Sequence, residues 1–377
     1  MDVRIDTAAL LSTLVAVPSV NPLLAPGASG AGEAAIAQTI RDWLGSRGIR
    51  AALEEVEPGR SNVVARVGSG AAPVLVLCAH IDTVPGSNMD QPFDPRVEAG
   101  RLYGRGSYDM KGGVAAVMCA LADLSEQPPG GTVVGAFVVD EEYASAGAFD
   151  FVKRHAADAC ILTEPSEEHL VLAHKGFIWL EIETTGFAAH GSRWDLGRSA
   201  IADMARIATA LDNYDRTTLR ARQHRLTGPA SLHCGTIAGG DGWSTYAAHC
   251  TLQVERRTIP GESADEVVEE VRRIVAGAGA EARIEVVLVR DPLECEPSSP
   301  IAMAVRDAAR SVLGRQPEDR GVAYWMDAAV FANAGIPTVN YGPAGAGAHA
   351  VEEWVDLASV ERTAAVLAGA ARAFCGP

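Results

Sequence analysis

Residues 73–85 read PVLVLCAHIDTVP, an apolar run that ends in a histidine and an aspartate. The apolar residues at 74–79 follow a proline and are typical of a strand that is buried on both faces. His80 and Asp82 are two positions apart, so their side chains share one face of an extended chain. We therefore expect His80 to bind a metal beyond the end of a central strand, with Asp82 orienting its imidazole. A structural turn histidine followed by a capping aspartate is the alternative.

Strand-like and helix-like patterns alternate on either side of this run. Apolar residues recur at i, i+4, i+7 and i+8 from Ile36, which predicts an amphipathic helix. The predicted elements are a helix at 33–47, a helix within Gly113–Leu124, and strands at Asn62–Val67, Pro73–Ala79, Thr132–Val139 and Ala159–Thr163. This alternation predicts an α/β domain with an open sheet, in which ligands bind beyond the carboxyl ends of the strands.

The pattern changes after residue 175. The order becomes β-α-β-β-α-β, which is ferredoxin-like. Its predicted elements are Ile178–Thr185, Ser199–Leu211, Ser231–Ile237, Ala247–Arg257, Ser263–Ala276 and Ala282–Val289. The α/β character then resumes, with elements at Pro300–Leu313, Asp327–Ala334, Pro337–Asn340 and a final helix from Asp356. We therefore predict a catalytic domain made of residues 1–175 and 292–377, interrupted by a continuous insert at 176–291.

Composition limits the classes of function. A chain of 377 residues is longer than a single core usually grows, which fits two domains. Its 32 basic and 48 acidic residues give a net charge of −16, and no basic run predicts a nucleic-acid partner. Bound cations would cancel part of this charge. The seven cysteines form no C-x-x-C motif and indicate reduced thiols, and no apolar stretch is long enough to span a membrane. We expect a cytoplasmic protein.

Single acids and a late histidine follow the other predicted strands or lie in glycine-rich turns. Asp109 lies in GRGSYDMKGG at 104–113, Glu141 and Glu142 follow a strand, and Glu164 lies in LTEPS at 162–166. His349 follows a glycine-rich turn. Taken singly, each fits a helix cap, an acidic loop or an exposed loop histidine. A dinucleotide loop at Gly104-x-Gly106 is a weaker alternative, because a third glycine and a preceding strand are not evident.

Together these residues predict a centre for two metal ions. His80, Asp109, Glu142, Glu164 and His349 are the N and O ligands that zinc accepts, and one closed tetrahedral site needs fewer. If one carboxylate is shared, the set divides between two ions and leaves Glu141 as a general base.

Three further candidates could contact a substrate. His190, in the turn GFAAHGS at 186–192, could stabilise an oxyanion, or else cap the following helix. Arg257 could bind a substrate carboxylate in a bidentate pair, although a surface arginine fits equally. Lys175 and Asn340 are weaker candidates for substrate binding, and Asp327 is another weak candidate.

The order of these motifs, from residue 78 to 355, resembles the M20 family of metallopeptidases and N-acyl amino acid deacylases. The resemblance is to the branch of acetylornithine deacetylase and succinyl-diaminopimelate desuccinylase. It rests on HxDTVP, GRG…DMKGG, DEE, TEPS, AHGS, RTIPGE and a late GxH. It implies a zinc-exopeptidase-like catalytic domain with a ferredoxin-like lid, meaning the insert at 176–291, through which the chain forms a homodimer.

The resemblance also implies roles for individual residues. His80, Asp109 and Glu164 would hold one Zn²⁺, and Asp109, Glu142 and His349 the other, with Co²⁺ as a substitute. Glu141 would be the general base and Asp82 the orienting residue, while His190 would enter the partner subunit's site. One departure is Tyr324-Trp325-Met326, in place of small residues before Asp327, in the region that forms substrate pockets.

The predicted activity is hydrolysis of the amide bond of a small N-acyl amino acid. A dipeptidase or carboxypeptidase with the same site is the first alternative. A non-catalytic ligand-binding relative and a nucleotide-binding protein are others, although every ligand and the base are present and the chain has no P-loop. Neither a nucleic acid nor a membrane is expected as a partner.

Overall fold

The computed structural model describes residues 5–26, 32–70 and 72–376. The chain divides into two compact units. The first comprises Met1–Leu172, Cys295–Arg320 and Met326–Pro377, and the second comprises Ala173–Glu294 and Gly321–Trp325. The predicted domain boundaries lie three residues from these positions at each junction. The short segment at 321–325, which belongs to the second unit, was not predicted.

The helices alternate with strands along most of the chain. The helices are α1 (Thr7–Ala16), α2 (Ala34–Gly45), α3 (Gly112–Glu126), α4 (Ala146–Arg154), α5 (Ala200–Thr217), α6 (Ala264–Gly277), α7 (Pro300–Leu313), α8 (Ala328–Asn333) and α9 (Leu357–Cys375). The strands are β1 (Ala51–Glu57), β2 (Arg60–Gly68), β3 (Val74–His80), β4 (Arg96–Glu98), β5 (Arg101–Tyr103), β6 (Thr132–Val138), β7 (Ala159–Leu162), β8 (Leu170–His174), β9 (Gly176–Thr185), β10 (Gln223–His224), β11 (Gly228–Pro229), β12 (Ser231–Gly239), β13 (His249–Thr258), β14 (Ala282–Arg290), β15 (Leu293–Glu294), β16 (Asp319–Val322), β17 (Thr338–Asn340), β18 (Gly345–Ala346) and β19 (Trp354–Asp356).

The first unit is built on a mixed sheet with the strand order β1-β2-β6-β3-β7-β17-β8. The pairs β6–β3, β3–β7 and β7–β17 are parallel, whereas β2 is antiparallel to both β1 and β6. Every residue of β6 and β7 is buried, as expected of parallel strands covered on both faces. The carboxyl ends of the four parallel strands therefore meet at one edge of the sheet.

Helices and a small sheet complete the first unit. Helix α9 packs against α3 and α7, and α3 also contacts β3 and β6. The small sheet has the order β18-β19-β5-β4. Its strand β19 contacts the turn at Ser107–Lys111 that precedes α3. The loop between β18 and β19, which contains His349, therefore lies near Asp109.

The second unit has the predicted ferredoxin-like order of elements. Its sheet has the order β12-β13-β9-β14, and all of these pairs are antiparallel. Helices α5 and α6 cover an apolar core, whose buried side chains include Leu180, Ile182, Met204, Leu252 and Val271. Helix α6 begins with a capping box: the Ser263 hydroxyl accepts from the Glu266 N–H, and the Glu266 side chain accepts from the Ser263 N–H.

Most predicted elements agree with the structure to within a few residues, but several elements were not predicted. These include α1, β1 and β8. The strand β1 carries Glu54, Glu55 and Glu57, so its sequence lacks the apolar pattern of a strand; among the described strands it pairs with β2 alone, at the edge of the sheet. The statement that no strand precedes Gly104 was wrong, because β5 ends at Tyr103. That strand is only three residues long and is held by pairing with β4 and β19.

Candidate metal centre

The parallel strands of the first unit deliver the candidate ligands to one edge of the sheet. His80 is the last residue of β3, Glu141 and Glu142 follow β6, and Glu164 follows β7. Because these three strands are adjacent and parallel, their carboxyl ends lie side by side. Asp109 comes from the turn before α3. His349 comes from the loop between β18 and β19, where its φ is +60°.

Asp109 lies between the two imidazoles. Its Oδ1 is 3.1 Å from His80 Nε2, and its Oδ2 is 3.2 Å from His349 Nε2. Glu164 Oε1 is 3.5 Å from His80 Nε2, and Glu142 Oε2 is 3.0 Å from His349 Nε2. Each oxygen of Asp109 therefore faces a different histidine and glutamate, which is the arrangement required of a carboxylate shared by two ions.

The donor set fits a divalent metal. Ligand atoms of His80, Asp109 and Glu142 lie within 4.8 Å of one another, and so do those of His80, Glu141 and Glu164. Glu142 Oε1 is buried and has no hydrogen-bond partner among the described residues. Burial of several carboxylates in one place is costly unless a cation compensates them. The unpartnered oxygen and the shared carboxylate are both explained by bound cations.

The His80 ring is oriented for ligation. His80 Nδ1 is 3.0 Å from the main-chain oxygen of Asp82, which can only accept a hydrogen bond. Nδ1 therefore carries a proton, which leaves Nε2, on the side of the acid cluster, as the atom that would bind a metal ion. The Asp82 carboxylate Oδ1 is farther from His80 Nδ1, at 3.4 Å, and the orienting role of Asp82 stays a prediction.

Burial and neighbouring charges shift the pKa values of the acids in different directions. Burial raises the pKa of Glu141 and of Glu164 well above its ordinary value. Burial would also raise the pKa of Asp109, but hydrogen bonds from His349 and His80 outweigh it and lower that pKa. The hydrogen bonds of His349 with Asp109 and Glu142 raise the pKa of His349 to about 10. Protons on the imidazoles thus compensate the same carboxylates that metal ions would compensate.

The Asp82 carboxylate holds the main chain of the two glutamates. Its Oδ1 accepts from Glu141 N at 3.1 Å, and its Oδ2 accepts from Glu142 N at 3.2 Å. Asp82 thus binds the main chain of the turn that carries the acid pair. Glu142 and Glu141 then diverge, with Glu142 beside His349 and Glu141 near His80 and Glu164.

Glu353 was not singled out in the sequence, although it holds the turn that carries Asp109. Its Oε1 accepts from Tyr108 N and Asp109 N at 3.0 Å each, and its Oε2 accepts from Gly106 N at 3.0 Å and from Arg105 at 2.6 Å. Arg105 and Glu353 are both about fully buried. No local motif marks Glu353, because its partners lie some 245 residues earlier in the chain.

Three of the predicted residues belong to the second unit. His190 is exposed, and its Nδ1 accepts from Ser192 N at 3.2 Å and lies 2.8 Å from the Ser192 hydroxyl. It does not cap the following helix, because α5 begins after Ser199, whose side chain accepts from Ala202 N. The alternative reading of His190 as a helix cap is therefore wrong.

Lys175 and Arg257 each have a hydrogen-bond partner within the second unit. Lys175 Nζ donates to the Pro229 carbonyl at 2.6 Å, and burial, followed by the charge of Arg257, lowers the pKa of Lys175. Arg257 Nε donates to Glu255 Oε1 at 2.7 Å, and its guanidinium lies 5.0 Å from the centre of the Phe177 ring. A carboxylate ligand of Arg257 would therefore compete with Glu255.

Asn340 lies at the same sheet edge as the acid cluster. It ends β17, and its Nδ2 donates to the main-chain oxygen of Glu164 at 3.1 Å. Its Oδ1 is buried without a hydrogen-bond partner among the described residues. Asp327 is also buried in this unit and contributes to the raised pKa of Glu141 and Glu164.

The site defines a class of metal-dependent hydrolase, and comparison with known proteins agrees. Residues 76–373 match the profile described as peptidase family M20/M25/M40. The chain belongs to this family, as the motifs predicted, and it is a metal-dependent hydrolase.

Similar proteins are found in both sequence and structure. The chain is 30% identical to "Acetylornithine deacetylase" of Proteus mirabilis (strain HI4320) over 396 residues, which cover 100% of this chain and 98% of the relative. The aminopeptidase PepT from Bacillus cereus superposes with a TM-score of 0.81 at 20% identity, with 98% of each chain covered. The Bacillus subtilis YXEP protein, described as a dinuclear metal binding peptidase from the M20 family, gives 0.74 at 19% identity over 97% of this chain and 96% of its own. These two structures support the fold.

All seven cysteines are free, and all except Cys234 are buried. In the part of the chain that the structure describes, no helix combines the length and the apolar character needed to cross a membrane.

Proposed function

We propose that this protein hydrolyses the amide bond of a small N-acyl amino acid, with two zinc ions as its cofactors and cobalt as a working substitute. The observation that carries the proposal is the shared position of Asp109 between His80 and His349. His80, Asp109 and Glu164 would hold one ion, and Asp109, Glu142 and His349 the other. Divalent ions bound there supply polarisation of the amide carbonyl and a nucleophile available at neutral pH.

Glu141 is the proposed general base. It lies within ligand distance of His80 and Glu164, yet the two proposed ligand sets leave its carboxylate free. Glu141 would take a proton from the attacking water and deliver it to the leaving nitrogen, so that one carboxyl group serves as base and then as acid. Asp82 accepts a hydrogen bond from Glu141 N. This bond would hold the Glu141 main chain in one place during both proton transfers.

His190 is the proposed oxyanion donor. Its Nδ1 accepts a hydrogen bond from Ser192 N, so the neutral ring carries its proton on the exposed Nε2. An N–H donor that points away from its own loop is suited to a negatively charged oxygen. We propose that His190 acts in the partner subunit's site of a homodimer formed through the lid. A monomeric mass at working concentration, with full activity, would contradict this.

Arg257, Lys175 and Asn340 are the proposed substrate-binding residues. Asn340 is supported by its buried Oδ1, which has no hydrogen-bond partner in the described part of the chain, and Arg257 by the bidentate geometry it already uses toward Glu255. The cytoplasmic location, which the free cysteines favour, remains a prediction.

The N-acyl amino acid substrate class is proposed from the relatives named acetylornithine deacetylase; the chain covers 98% of the length of one of them and 92% of the length of two others. The test is a panel of N-acetyl, N-succinyl and N-carbamoyl amino acids and dipeptides on protein stripped by a chelator and reconstituted with zinc or cobalt. We expect hydrolysis of acyl amino acids only after reconstitution. Faster turnover of dipeptides would favour the dipeptidase or carboxypeptidase alternative, and no turnover would favour a non-catalytic relative.

The Glu141→Ala variant tests the chemistry separately from the metals. We expect it to bind both ions and to lose about 10²–10⁴-fold in kcat, the usual contribution of a placed acid–base group. An unchanged kcat would remove Glu141 from the mechanism.

A further inference from the structure

The buried side chain of Asn21 bonds to two carboxylates, Asp82 and Asp140, that lie beside the Glu141-Glu142 pair. Residues 19–21 run beside the segment that follows His80: Thr83 N donates to the Ser19 carbonyl at 3.0 Å, and Asn21 N donates to the Thr83 carbonyl at 2.9 Å. Ser19, Asn21 and Thr83 are fully buried. The main chain of Asn21 is thereby fixed beside the candidate centre.

The hydrogen bonds of the Asn21 side chain define its orientation. Nδ2 donates to Asp82 Oδ2 at 2.8 Å and to Asp140 Oδ1 at 2.9 Å, so both of its hydrogens are used. Oδ1 accepts from Leu23 N at 3.0 Å. If the amide were turned over, its oxygen would face two carboxylates and its NH₂ would face an N–H group. Only one orientation satisfies every atom.

The two carboxylates bound by Asn21 are those that hold the turn carrying the acid pair. Asp82 accepts the main-chain N–H groups of Glu141 and Glu142. Asp140 comes immediately before Glu141, has a φ of +73°, and accepts from Ala146 N at 3.2 Å through Oδ2. Asn21 therefore links Asp140, at the start of the turn, to Asp82, whose carboxylate accepts from the main chain of both glutamates.

Arg60 binds one of the two carboxylates that Asn21 binds, Asp140, but not the other, Asp82. Arg60 donates to Asp140 Oδ1 at 2.8 Å and to Glu33 Oε2 at 2.9 Å, and all three side chains are buried. Arg60 also donates to Glu57, so it is engaged by three acids, and its described bonds do not reach Asp82. Asn21 supplies neutral donors that hold Asp82 and Asp140 at a fixed separation despite their like charges.

We infer that Asn21 is a positioning residue that sets where the Glu141 and Glu142 side chains lie in the hydrolytic centre. The inference rests on the proposed function, because it assigns Asn21 to the placement of the proposed base and of one proposed ligand. An apolar residue of similar size could fill the same volume, but Asp82 Oδ2 and Asp140 Oδ1 would lose the two hydrogen bonds through which one side chain links them.

The test compares Asn21→Leu, which removes both donors, with Asn21→Ser, which keeps one hydroxyl donor. Val305→Ala is the control, because Val305 is fully buried on α7 and its loss destabilises the same unit without touching these carboxylates. Kinetics on the reconstituted enzyme give kcat and KM, and titration of the metal-free protein with Co²⁺, followed by its visible absorption, gives metal affinity and geometry.

We expect Asn21→Leu to lower kcat and the affinity for the ion held by Glu142 by about 10–100-fold each, the usual effect of losing a residue that orients ligands. Asn21→Ser should lose less, KM should change little, and Val305→Ala should keep wild-type kcat and Co²⁺ spectrum. If Asn21→Leu does not fold, the same comparison with Asn21→Ser decides.

Two results separate this inference from the proposed function. Wild-type kcat and Co²⁺ affinity in a folded Asn21 variant would overturn the positioning role while leaving the hydrolase intact. If the wild-type protein hydrolyses nothing in the panel, the proposed function fails, and the Co²⁺ titration still decides: a weakened, altered spectrum in the Asn21 variants alone supports positioning, and an unchanged one overturns it.

Discussion

Replacing Glu353 with glutamine tests how the position of Asp109 is maintained. The Glu353 carboxylate accepts hydrogen bonds from three main-chain N–H groups, those of Gly106, Tyr108 and Asp109, and from the Arg105 guanidinium. Each of its oxygens accepts two of these. A glutamine offers one oxygen and one NH₂ group, so in either orientation two donors face another donor.

The magnitude follows from burial. Arg105 is 1% exposed and Glu353 is 1% exposed. Removing one member of a buried ion pair leaves an uncompensated charge and costs about 3–5 kcal/mol. We expect Glu353→Gln to lower the free energy of unfolding by about this amount. Because the Asp109 N–H loses its acceptor, zinc affinity should also fall, by about 10–100-fold.

Glu168→Gln is the matched control. Glu168 is 7% exposed and accepts from Arg362 Nε at 2.6 Å, but it makes no described hydrogen bond to the turn at 106–109. Urea unfolding in the presence of EDTA gives stability without metal, and competition with a chromophoric chelator gives zinc affinity. Glu168→Gln should lose stability and keep its zinc affinity. Equal zinc affinity in Glu353→Gln and Glu168→Gln would refute the reasoning.

Three further predictions concern other groups. His174 is fully buried, and burial lowers its pKa to about 4 against an ordinary 6.5. As pH falls, the unfolded chain therefore binds this proton before the folded one does. The contribution of neutral His174 to the free energy of unfolding is complete above pH 6.5 and should be about 2 kcal/mol lower at pH 5. In urea unfolding, the free energy of unfolding of His174→Gln should fall less steeply over this pH range. His349→Ala should reduce bound zinc from two ions to one by elemental analysis with little loss of stability, since its side chain is 54% exposed, and two tightly bound ions would argue against its role. Arg60→Met leaves Asp140 and Glu33 buried without their cation, so it should lower the free energy of unfolding by about 3–5 kcal/mol; a loss under about 1 kcal/mol would show that the acids are compensated otherwise.

The central sheet was largely predictable because most of its strands are marked by a short apolar sequence pattern. The runs before His80 and Glu141 are almost wholly apolar and end in acids or a histidine, so both the strand and the polar edge can be inferred from the same few residues. The order of elements in the second unit was predictable for the same reason. By contrast, β1 lies at the sheet edge, where its glutamates contact solvent and remove the apolar signal.

The partners that support the site could not be predicted, because they depend on contacts between distant segments. Asn21 meets Asp140 across 119 positions, and Glu353 meets Asp109 across 244. A lone asparagine after a valine, or a glutamate before a tryptophan, carries no periodicity and no motif that points to such a partner. Only the fold shows that each of them serves an acid near the sheet edge.

The most direct test of the two-ion centre is a crystal structure of the zinc-reconstituted protein with anomalous data on both sides of the zinc absorption edge. We predict two peaks about 3.5–4 Å apart that share Asp109 as a ligand, with zinc–oxygen and zinc–nitrogen distances of about 2.0–2.2 Å. A single peak, or two peaks of which neither contacts Asp109, would contradict the account.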